Sequence, residues 1–271
     1  MGAVLAAVIL ELTHCMKIIV SVKQVPARDS VLRVNSSGNR LDETDLSYEM
    51  NEPDAYALEE ALQLKEKLGG EVIALCAGPQ RATQTIREAL AKGADRAIHV
   101  EIAGPDDFDA LATARLLAKA IQPESPDLIL TGLQSDDMGY GQTGVIIAEL
   151  LGFSHATIVM EVTLEGNTLR VKRELEDGWF QNVGLPLPAV LTIQSGIKKL
   201  RYATLMGIKK AKTKEVKTIS AASLGADLKA EAVTKRIYSP QRHKQSQLFS
   251  GDARQAAQQL IEKLKFEARV L

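Results

Sequence analysis

A regular alternation of short apolar runs and longer helical patterns in the first 152 residues constrains the fold most. The apolar runs are rich in Ile, Val and Leu, as expected of strands buried on both faces of a parallel sheet. These predicted strands are residues 17–22, 71–78, 96–101 and 127–132. The predicted helices are residues 53–68, 80–92, 106–121 and 142–152. This alternation predicts an α/β domain with a doubly wound parallel sheet.

The first predicted helix illustrates how a buried face is assigned. Its apolar residues recur at helical spacing, which predicts that they point into the core together. They are Leu58, Ala61, Leu62 and Leu68. The Gly-Gly pair at 69–70 predicts the end of the helix, because glycine readily adopts the conformation that terminates one.

Other stretches depart from the alternation. Residues 31–45 resemble a hairpin that turns at "SSGN", and the period-two pattern after residue 156, with turns at "EGN" and "EDG", predicts a small antiparallel extension. Residues 194–250 have little regular pattern, and residues 251–271 form an amphipathic helical pattern. Such an arm either docks on a partner or packs back on its own domain, and the pattern does not separate the two. The predicted domains are a loose extension or upstream start (1–15), a nucleotide-binding domain (16–193) and an arm (194–271).

Composition narrows the class of protein. A formal net charge of -1 argues against a general nucleic-acid-binding protein. Cys15 and Cys76 are the chain's only cysteines and lack metal-type spacing, so we expect a reducing, cytoplasmic compartment rather than a disulfide framework. Residues 1–15 are apolar, but they are too short to span a bilayer and lack the basic start of a signal peptide.

The stretch "TGLQSDDMGYGQTG" at 131–144 has the glycine spacing of a loop that receives a phosphate. It lies between a predicted strand and a predicted helix, where backbone N–H groups and the helix dipole favour an anion. It carries Asp136 and Asp137 but no lysine, and it matches neither a Walker loop nor a Rossmann fingerprint. We therefore expect it to hold a nucleotide without cleaving it, with Asp137 free to accept from ribose or adenine. A plain glycine-rich turn is an equally good interpretation of the loop alone.

Four further features are interpreted structurally. Cys76 ends a predicted strand and is expected to be a small buried residue. The acids at 106–107 are expected to open a helix, and the basic run at 209–217 to be a solvated face. Trp179 and Phe180 are expected to be packing residues.

One segment resembles a known family. Residues 171–192, "VKRELEDGWFQNVGLPLPAVLT", strongly resemble the signature of the beta subunit of electron transfer flavoprotein. The matching positions are Arg173, Glu176, Asp177, Gly178, Gln181, Val183, Pro188, Val190, Leu191 and Thr192. Further matches are "VKQVP" (22–26), "ALEEALQLKEK" (57–67), "GADRAIHVE" (93–101), "GQTG" (141–144) and "RYATL" (201–205). The resemblance extends from about Met16 to the C-terminus.

The resemblance implies an electron carrier rather than an enzyme. It implies an adenine-nucleotide-binding α/β fold of the HUP type, a bound AMP, and an alpha subunit that carries most of the FAD site. The heterodimer would accept electrons from dehydrogenases, such as an acyl-CoA dehydrogenase, and pass them to a membrane quinone oxidoreductase. Leu205 matches the leucine with which the family enters a pocket on the dehydrogenase.

The resemblance also implies an AMP site. The residues that match it are Ser21, Asn51, Glu52, Pro53, Asp54, Cys76, Gly132, Leu133, Gln134, Ser135, Asp136, Asp137, Met138, Gly139, Tyr140, Gly141, Gln142 and Thr143. The chain departs from the family at "NEPD", at "DDMGYG" and at Arg28, where a tyrosine often approaches the flavin.

Three alternatives stay open. A bifurcating subunit would bind a second FAD in place of AMP; "QTG" resembles the AMP-binding type, whereas "MGYG" fits neither type well. A HUP-type hydrolysing or adenylating enzyme would typically carry a Ser-Gly-Gly loop or a His-x-Gly-His motif, and this chain has neither. A small-molecule-binding stress protein would be shorter and would lack the arm.

Overall fold

The computed structural model describes residues 15–102, 108–240 and 246–271, and eleven strands are found there. They are β1 (Met16–Ser21), β2 (Gln24–Pro26), β3 (Tyr48–Met50), β4 (Gly70–Gly78), β5 (Arg96–Glu101), β6 (Leu128–Gly132), β7 (Ser154–Glu165), β8 (Thr168–Glu174), β9 (Phe180–Pro186), β10 (Ala189–Ile193) and β11 (Val216–Ser220). Nine of them form one sheet in the order β11-β5-β4-β1-β6-β10-β7-β8-β9, and β2 pairs with β3. The pairs from β11 to β7 are parallel, and β8 and β9 add antiparallel hairpins at one edge.

Helices cover both faces of this sheet. The helices packed on the sheet are α1 (Glu52–Leu68), α2 (Thr83–Lys92), α3 (Ala110–Ile121) and α4 (Thr143–Leu151). The described residues also form α5 (Leu205–Ala211) and α6 (Ala253–Phe266). Alternate strand residues point to opposite faces, so Val20 packs in the core with α1 and α2 while Ile19 packs with α3 and α4. This double coverage explains why the parallel strands are continuous apolar runs.

The order of the strands creates a crevice. The chain runs from β1 through β4 to β5 on one side and then returns to β6 on the other side of β1. In register, Val20 of β1 lies beside Leu130 of β6, so both strands end at the same edge. Open α/β sheets bind ligands at such a switch point, beyond the carboxyl ends of the strands.

Most of the predicted elements are present, with local differences. The antiparallel extension is confirmed by β7, β8 and β9, and the 31–45 hairpin closes through a bridge between Val34 and Leu41. The prediction that Leu68 is buried with the rest of its helical face is wrong, because its side chain is 40% exposed. It is the last residue of α1, and Gly69 caps the helix directly after it. The pattern-poor region after residue 194 contains β11, which pairs in parallel with β5.

The chain divides into two compact units. One ends at Lys235, and the other comprises Arg236–Leu271. The second unit contains α6, which Asp252 caps in a capping box with Gln255. Two predicted features lie outside the described residues: residues 1–14 of the extension and the acids at 106–107. None of the helices in the described ranges is long and apolar enough to cross a membrane.

Candidate functional site

A cavity opens where β1 and β6 end, at the switch point of the sheet. Its wall includes the end of β1, the start of α1, the loop after β6 and the start of α4. Among the described residues it is lined by Ser21, Val22, Lys23, Asn51, Asp54, Ala77, Ile102, Phe108, Asp109, Ala110, Thr113, Leu117, Thr131, Gly132, Leu133, Gln134, Ser135, Met138, Tyr140, Gly141, Gln142, Thr143 and Gly144.

Asn51 fixes the first part of the glycine loop. The side chain is 1% exposed and uses both ends of its amide. Its Nδ2 donates to the carbonyl oxygen of Gln134 at 3.0 Å, and its Oδ1 accepts from the N–H of Asp136 at 2.9 Å. A buried amide satisfied in this way holds the loop in one position relative to α1.

Asp54 joins the ends of β1 and β6. Its two carboxylate oxygens accept from the backbone N–H groups of Lys23 and Gly132, each at 2.8 Å. Burial raises the pKa of Asp54 to about 7, although these hydrogen bonds and the charge of Lys23 oppose the shift. The carboxylate therefore holds the two strand ends that form the floor of the cavity.

The second part of the loop needs glycine for two different reasons. Gly139 and Gly141 have φ angles of +65° and +63°, which side chains rarely adopt. Gly144 instead permits a close approach, because a Cβ there would lie 2.6 Å from Thr192 Cγ2 and 2.7 Å from Thr131 Oγ1. The loop can thus bring the start of α4 directly onto the ends of β6 and β10.

The lining of the cavity is chemically mixed. α4 begins after Gln142 without a side-chain cap, so its first N–H groups are available to an anion. Ile102, Phe108 and Leu117 contribute apolar surface. A ligand that carries both a phosphate and a flat apolar ring system would match this mixture.

The acids of the loop are paired with cations from another segment. Lys23 Nζ lies 2.7 Å from Asp137 Oδ1 and 3.3 Å from Ser135 Oγ, and Arg28 Nη2 lies 3.3 Å from Asp136 Oδ2. Burial favours a raised pKa for Asp137, but the charge and hydrogen bond of Lys23 outweigh it and lower the pKa. The expectation that Asp137 is a free acceptor is therefore wrong. A lysine therefore does lie beside the loop, but it is Lys23, which is distant in sequence and which the residues near the loop do not reveal.

Comparisons with known proteins decide the family. The model of the electron transfer flavoprotein domain matches residues 39–224. The electron transfer flavoprotein subunit beta of Methylophilus methylotrophus is 37% identical over 262 residues, covering 92% of this chain and 99% of that protein. The human subunit beta is 38% identical over 258 residues, and that of Bradyrhizobium diazoefficiens is 38% identical over 259; both alignments cover 94% of this chain, with 99% and 100% of the relatives.

The chain belongs to the electron transfer flavoprotein family. Its relatives are beta subunits, which are electron carriers rather than enzymes, and the same holds for this chain. The family name indicates that a flavin is involved. The doubly wound α/β architecture described above is consistent with the family's fold.

In this electron transfer flavoprotein chain the cavity gathers twelve of the residues that matched the AMP site. These are Ser21, Asn51, Asp54, Gly132, Leu133, Gln134, Ser135, Met138, Tyr140, Gly141, Gln142 and Thr143. Six others do not line it, namely Glu52, Pro53, Cys76, Asp136, Asp137 and Gly139. Cys76 is fully buried, and burial, with the nearby charge of Asp54, raises the pKa of its thiol to about 12. The expectation of a small buried residue is confirmed for Cys76.

Sequence reasoning missed several lining residues. Lys23 directly follows the first apolar run, so its position at the end of a parallel strand was a usable signal. Asp109 caps α3 by accepting from the N–H of Ala112 at 2.8 Å, a local pattern that the sequence also shows. Ile102 and Phe108 had no such signal, because an apolar residue in a loop is usually packing.

Two surface predictions have different outcomes. Trp179 and Phe180 are 72% and 48% exposed, so the expectation that they are packing residues is wrong. They lie at the start of β9, the strand at the antiparallel edge of the sheet.

The basic run at 209–217 is only partly a solvated face. Lys214 Nζ donates to the carbonyl oxygens of Leu90 and Ala94, at the C-terminal end of α2. Leu205 is 85% exposed.

Proposed function

We propose that this chain is the beta subunit of a heterodimeric electron transfer flavoprotein and that its cavity holds AMP. An alpha subunit would carry most of the FAD site, with this chain helping to hold the flavin. The heterodimer would be cytoplasmic. It would accept electrons from dehydrogenases, such as an acyl-CoA dehydrogenase, and pass them to a quinone oxidoreductase in the membrane. The observation that carries the AMP proposal is the uncapped start of α4, brought against β6 and β10 by Gly144.

The residues present fit an adenine nucleotide. Its phosphate would accept from the N–H groups at the start of α4, and Lys23, already at Ser135 Oγ, would add positive charge. The adenine would lie against the apolar lining residues Ile102, Phe108 and Leu117. Among the described residues no cluster of acids, cysteines or histidines could hold a metal ion.

We assign the partner contacts to the arm. The predicted division into residues 16–193 and 194–271 places both candidate contact elements, α5 and α6, in that arm. No residue of α6 is buried, and Leu260, Ile261 and Phe266 are 44%, 49% and 76% exposed. An amphipathic helix with an uncovered apolar face is stabilised by a partner surface. The alpha subunit would cover α6, and a donor dehydrogenase would receive Leu205.

The decisive experiment is a count of nucleotides in the purified heterodimer. After denaturation and chromatography of the released ligands, we expect about one FAD and one AMP per dimer. Two FAD and no AMP would replace this proposal with the bifurcating type of subunit. One FAD with no second nucleotide would remove the assignment of the cavity to AMP.

A pair of glycine variants locates the AMP. Gly144→Ala adds a Cβ that would clash with Thr131 and Thr192, so we expect AMP to be lost while FAD stays near one per dimer. Gly184→Ala is the matched control, because a Cβ there would make an ordinary contact at 3.6 Å with Thr168 Cγ2. Full retention of AMP in Gly144→Ala would place the nucleotide elsewhere.

A further inference from the structure

Two adjacent carboxylates are buried on α1. Glu59 is 4% exposed and Glu60 is 1% exposed. Glutamate is almost never buried to this extent unless it is paired. Both partners lie in one short segment, residues 198–201, which directly precedes the surface around Leu205.

Arg201 provides most of this pairing. Its Nε lies 2.8 Å from Glu59 Oε2 and its Nη2 lies 3.0 Å from Glu59 Oε1, so the guanidinium grips both oxygens. The backbone N–H of Arg201 also donates to Glu59, at 3.2 Å, and Nη1 donates to Glu66 at 2.7 Å. One side chain therefore ties the segment to two turns of α1.

Lys198 makes a weaker contact. Its Nζ is 3.4 Å from Glu60 Oε2, and that oxygen has no hydrogen-bond partner. Burial raises the pKa of Glu60 despite the charge of Lys198. For Glu59 burial acts in the same direction, but the hydrogen bonds from Arg201 and Gln63 outweigh it and lower the pKa. Arg201 is thus the partner that compensates a buried charge well.

The helix that follows is also held closely. Thr204 caps α5 by accepting from the N–H of Gly207 at 3.0 Å. Gly207 lies so close to the carbonyl oxygen of Ala91 that a Cβ would collide with it. At the other end of α5, Arg87 donates to the carbonyl oxygen of Ala211. These contacts direct Leu205 and its neighbour Met206 outward, 85% and 63% exposed.

We infer that Arg201 is a positioning residue for partner recognition: its clamp on Glu59 and Glu66 fixes α5 so that Leu205 is presented in one orientation. This inference rests on the proposed function, in which Leu205 enters a pocket on a donor dehydrogenase. An anchor that is already ordered loses less conformational entropy on binding, so the clamp increases affinity without touching the partner.

The test uses the heterodimer as electron acceptor for an acyl-CoA dehydrogenase supplied with its acyl-CoA. We expect Arg201→Gln to raise the KM for the heterodimer by roughly 10-fold, the size expected when the burial of one leucine is largely lost, with kcat nearly unchanged. Leu205→Ala should raise KM similarly. Arg201→Lys keeps the charge opposite Glu59 but not the fork, and we expect an intermediate KM.

Arg96→Gln is the matched control. Arg96 also bridges two carboxylates, Glu71 at 2.8 Å and Glu124 at 2.6 Å, but it lies on β5. We expect this variant to lose comparable stability while keeping the wild-type KM. An equal rise of KM in Arg96→Gln, or a wild-type KM in Arg201→Gln, would overturn the inference.

Hydrogen exchange of the amides in residues 205–211 separates the inference from the proposed function. We expect faster exchange there in Arg201→Gln, but not in Leu205→Ala or Arg96→Gln. If the wild-type heterodimer accepts no electrons from the dehydrogenase, the proposed donor is wrong, yet faster exchange in Arg201→Gln still supports a clamp on α5. Unchanged exchange in Arg201→Gln would overturn the positioning role whatever the donor.

Discussion

Two carboxylates on α1, one at its start and one near its middle, are buried in opposite ways. At the cavity end, the oxygens of Asp54 accept from two backbone N–H groups, and burial raises its pKa to about 7. Near the middle of the helix, the guanidinium of Arg201 binds both oxygens of Glu59, and the pKa of Glu59 is lowered although burial opposes this. Backbone N–H groups bind the carboxylate of Asp54 without neutralising its charge. A guanidinium binds a carboxylate through hydrogen bonds and also neutralises its charge. The first solution shapes a cavity, and the second fastens a distant segment.

The largest effect should come from removing the guanidinium. Arg201→Ala leaves Glu59 buried without its cation, so we expect the free energy of unfolding to fall by about 3–5 kcal/mol in urea titrations. Glu66→Gln is the control, because Glu66 meets the same guanidinium but its side chain is 58% exposed. That variant should lose less than about 1 kcal/mol. Equal losses in the two variants would show that burial does not distinguish the two partners.

Asp54→Asn should have the next largest effect. An asparagine can accept from only one of the two N–H groups, and its own NH2 faces the other. One buried donor is then unsatisfied, so we expect a loss of about 1–3 kcal/mol in urea unfolding at pH 8, where Asp54 is mainly ionised and both of its oxygens accept. Asp42→Asn is the control, since Asp42 also accepts from a backbone N–H, that of Thr44, but on an exposed hairpin. A stability of Asp54→Asn equal to that of wild type would show that the strand ends do not depend on this carboxylate.

The pH dependence of stability should distinguish Asp54 from Glu59. The folded-state pKa of Asp54, about 7, exceeds its ordinary value of 3.8, so its contribution is present below about pH 4 and lost as the pH rises toward 7. The folded-state pKa of Glu59 is lowered, so its contribution is present above about pH 4.5 and lost in acid.

Unfolding measured from pH 3 to pH 8 tests this. The difference in unfolding free energy between wild type and Asp54→Asn should shrink by about 1–3 kcal/mol between pH 5 and pH 8. The difference between wild type and Glu59→Gln should be nearly constant over that range and should shrink only below about pH 4.5. A constant difference for Asp54→Asn from pH 5 to pH 8 would contradict the raised pKa.

Cysteine labelling should give the smallest but most local readout. Cys76 is fully buried near Asp54, and Cys15 is exposed. We expect an alkylating reagent at neutral pH to label Cys15 quickly and Cys76 only after unfolding, because the thiolate is the reactive form. Asp54→Asn should speed the labelling of Cys76, whereas Glu66→Gln should not. Prompt labelling of Cys76 in the wild type would show that the cavity end opens readily.

The sequence alone determined the periodic elements and the position of the glycine loop. Apolar runs of strand length and helical spacing depend on local chemistry, so they predicted β1, β4, β5, β6 and the helices between them. The glycines at 139, 141 and 144 likewise specified a loop that approaches a helix start, and the motif at 171–192 indicated the family. Each of these signals is contained within a few neighbouring residues.

Only the tertiary structure decided which charges meet. Lys23 reaches Asp137 across 114 positions of sequence, and Arg201 reaches Glu59 across 142. β11 was hidden for a related reason, since its residues alternate weakly and its place beside β5 depends on the sheet already being formed. A local pattern fixes the period of an element and the face it buries, but the partner of a charge depends on how the whole chain crosses itself. The glycine loop could therefore be predicted, whereas the cations that pair with its acids, and the contacts of Arg201 that precede Leu205, could not.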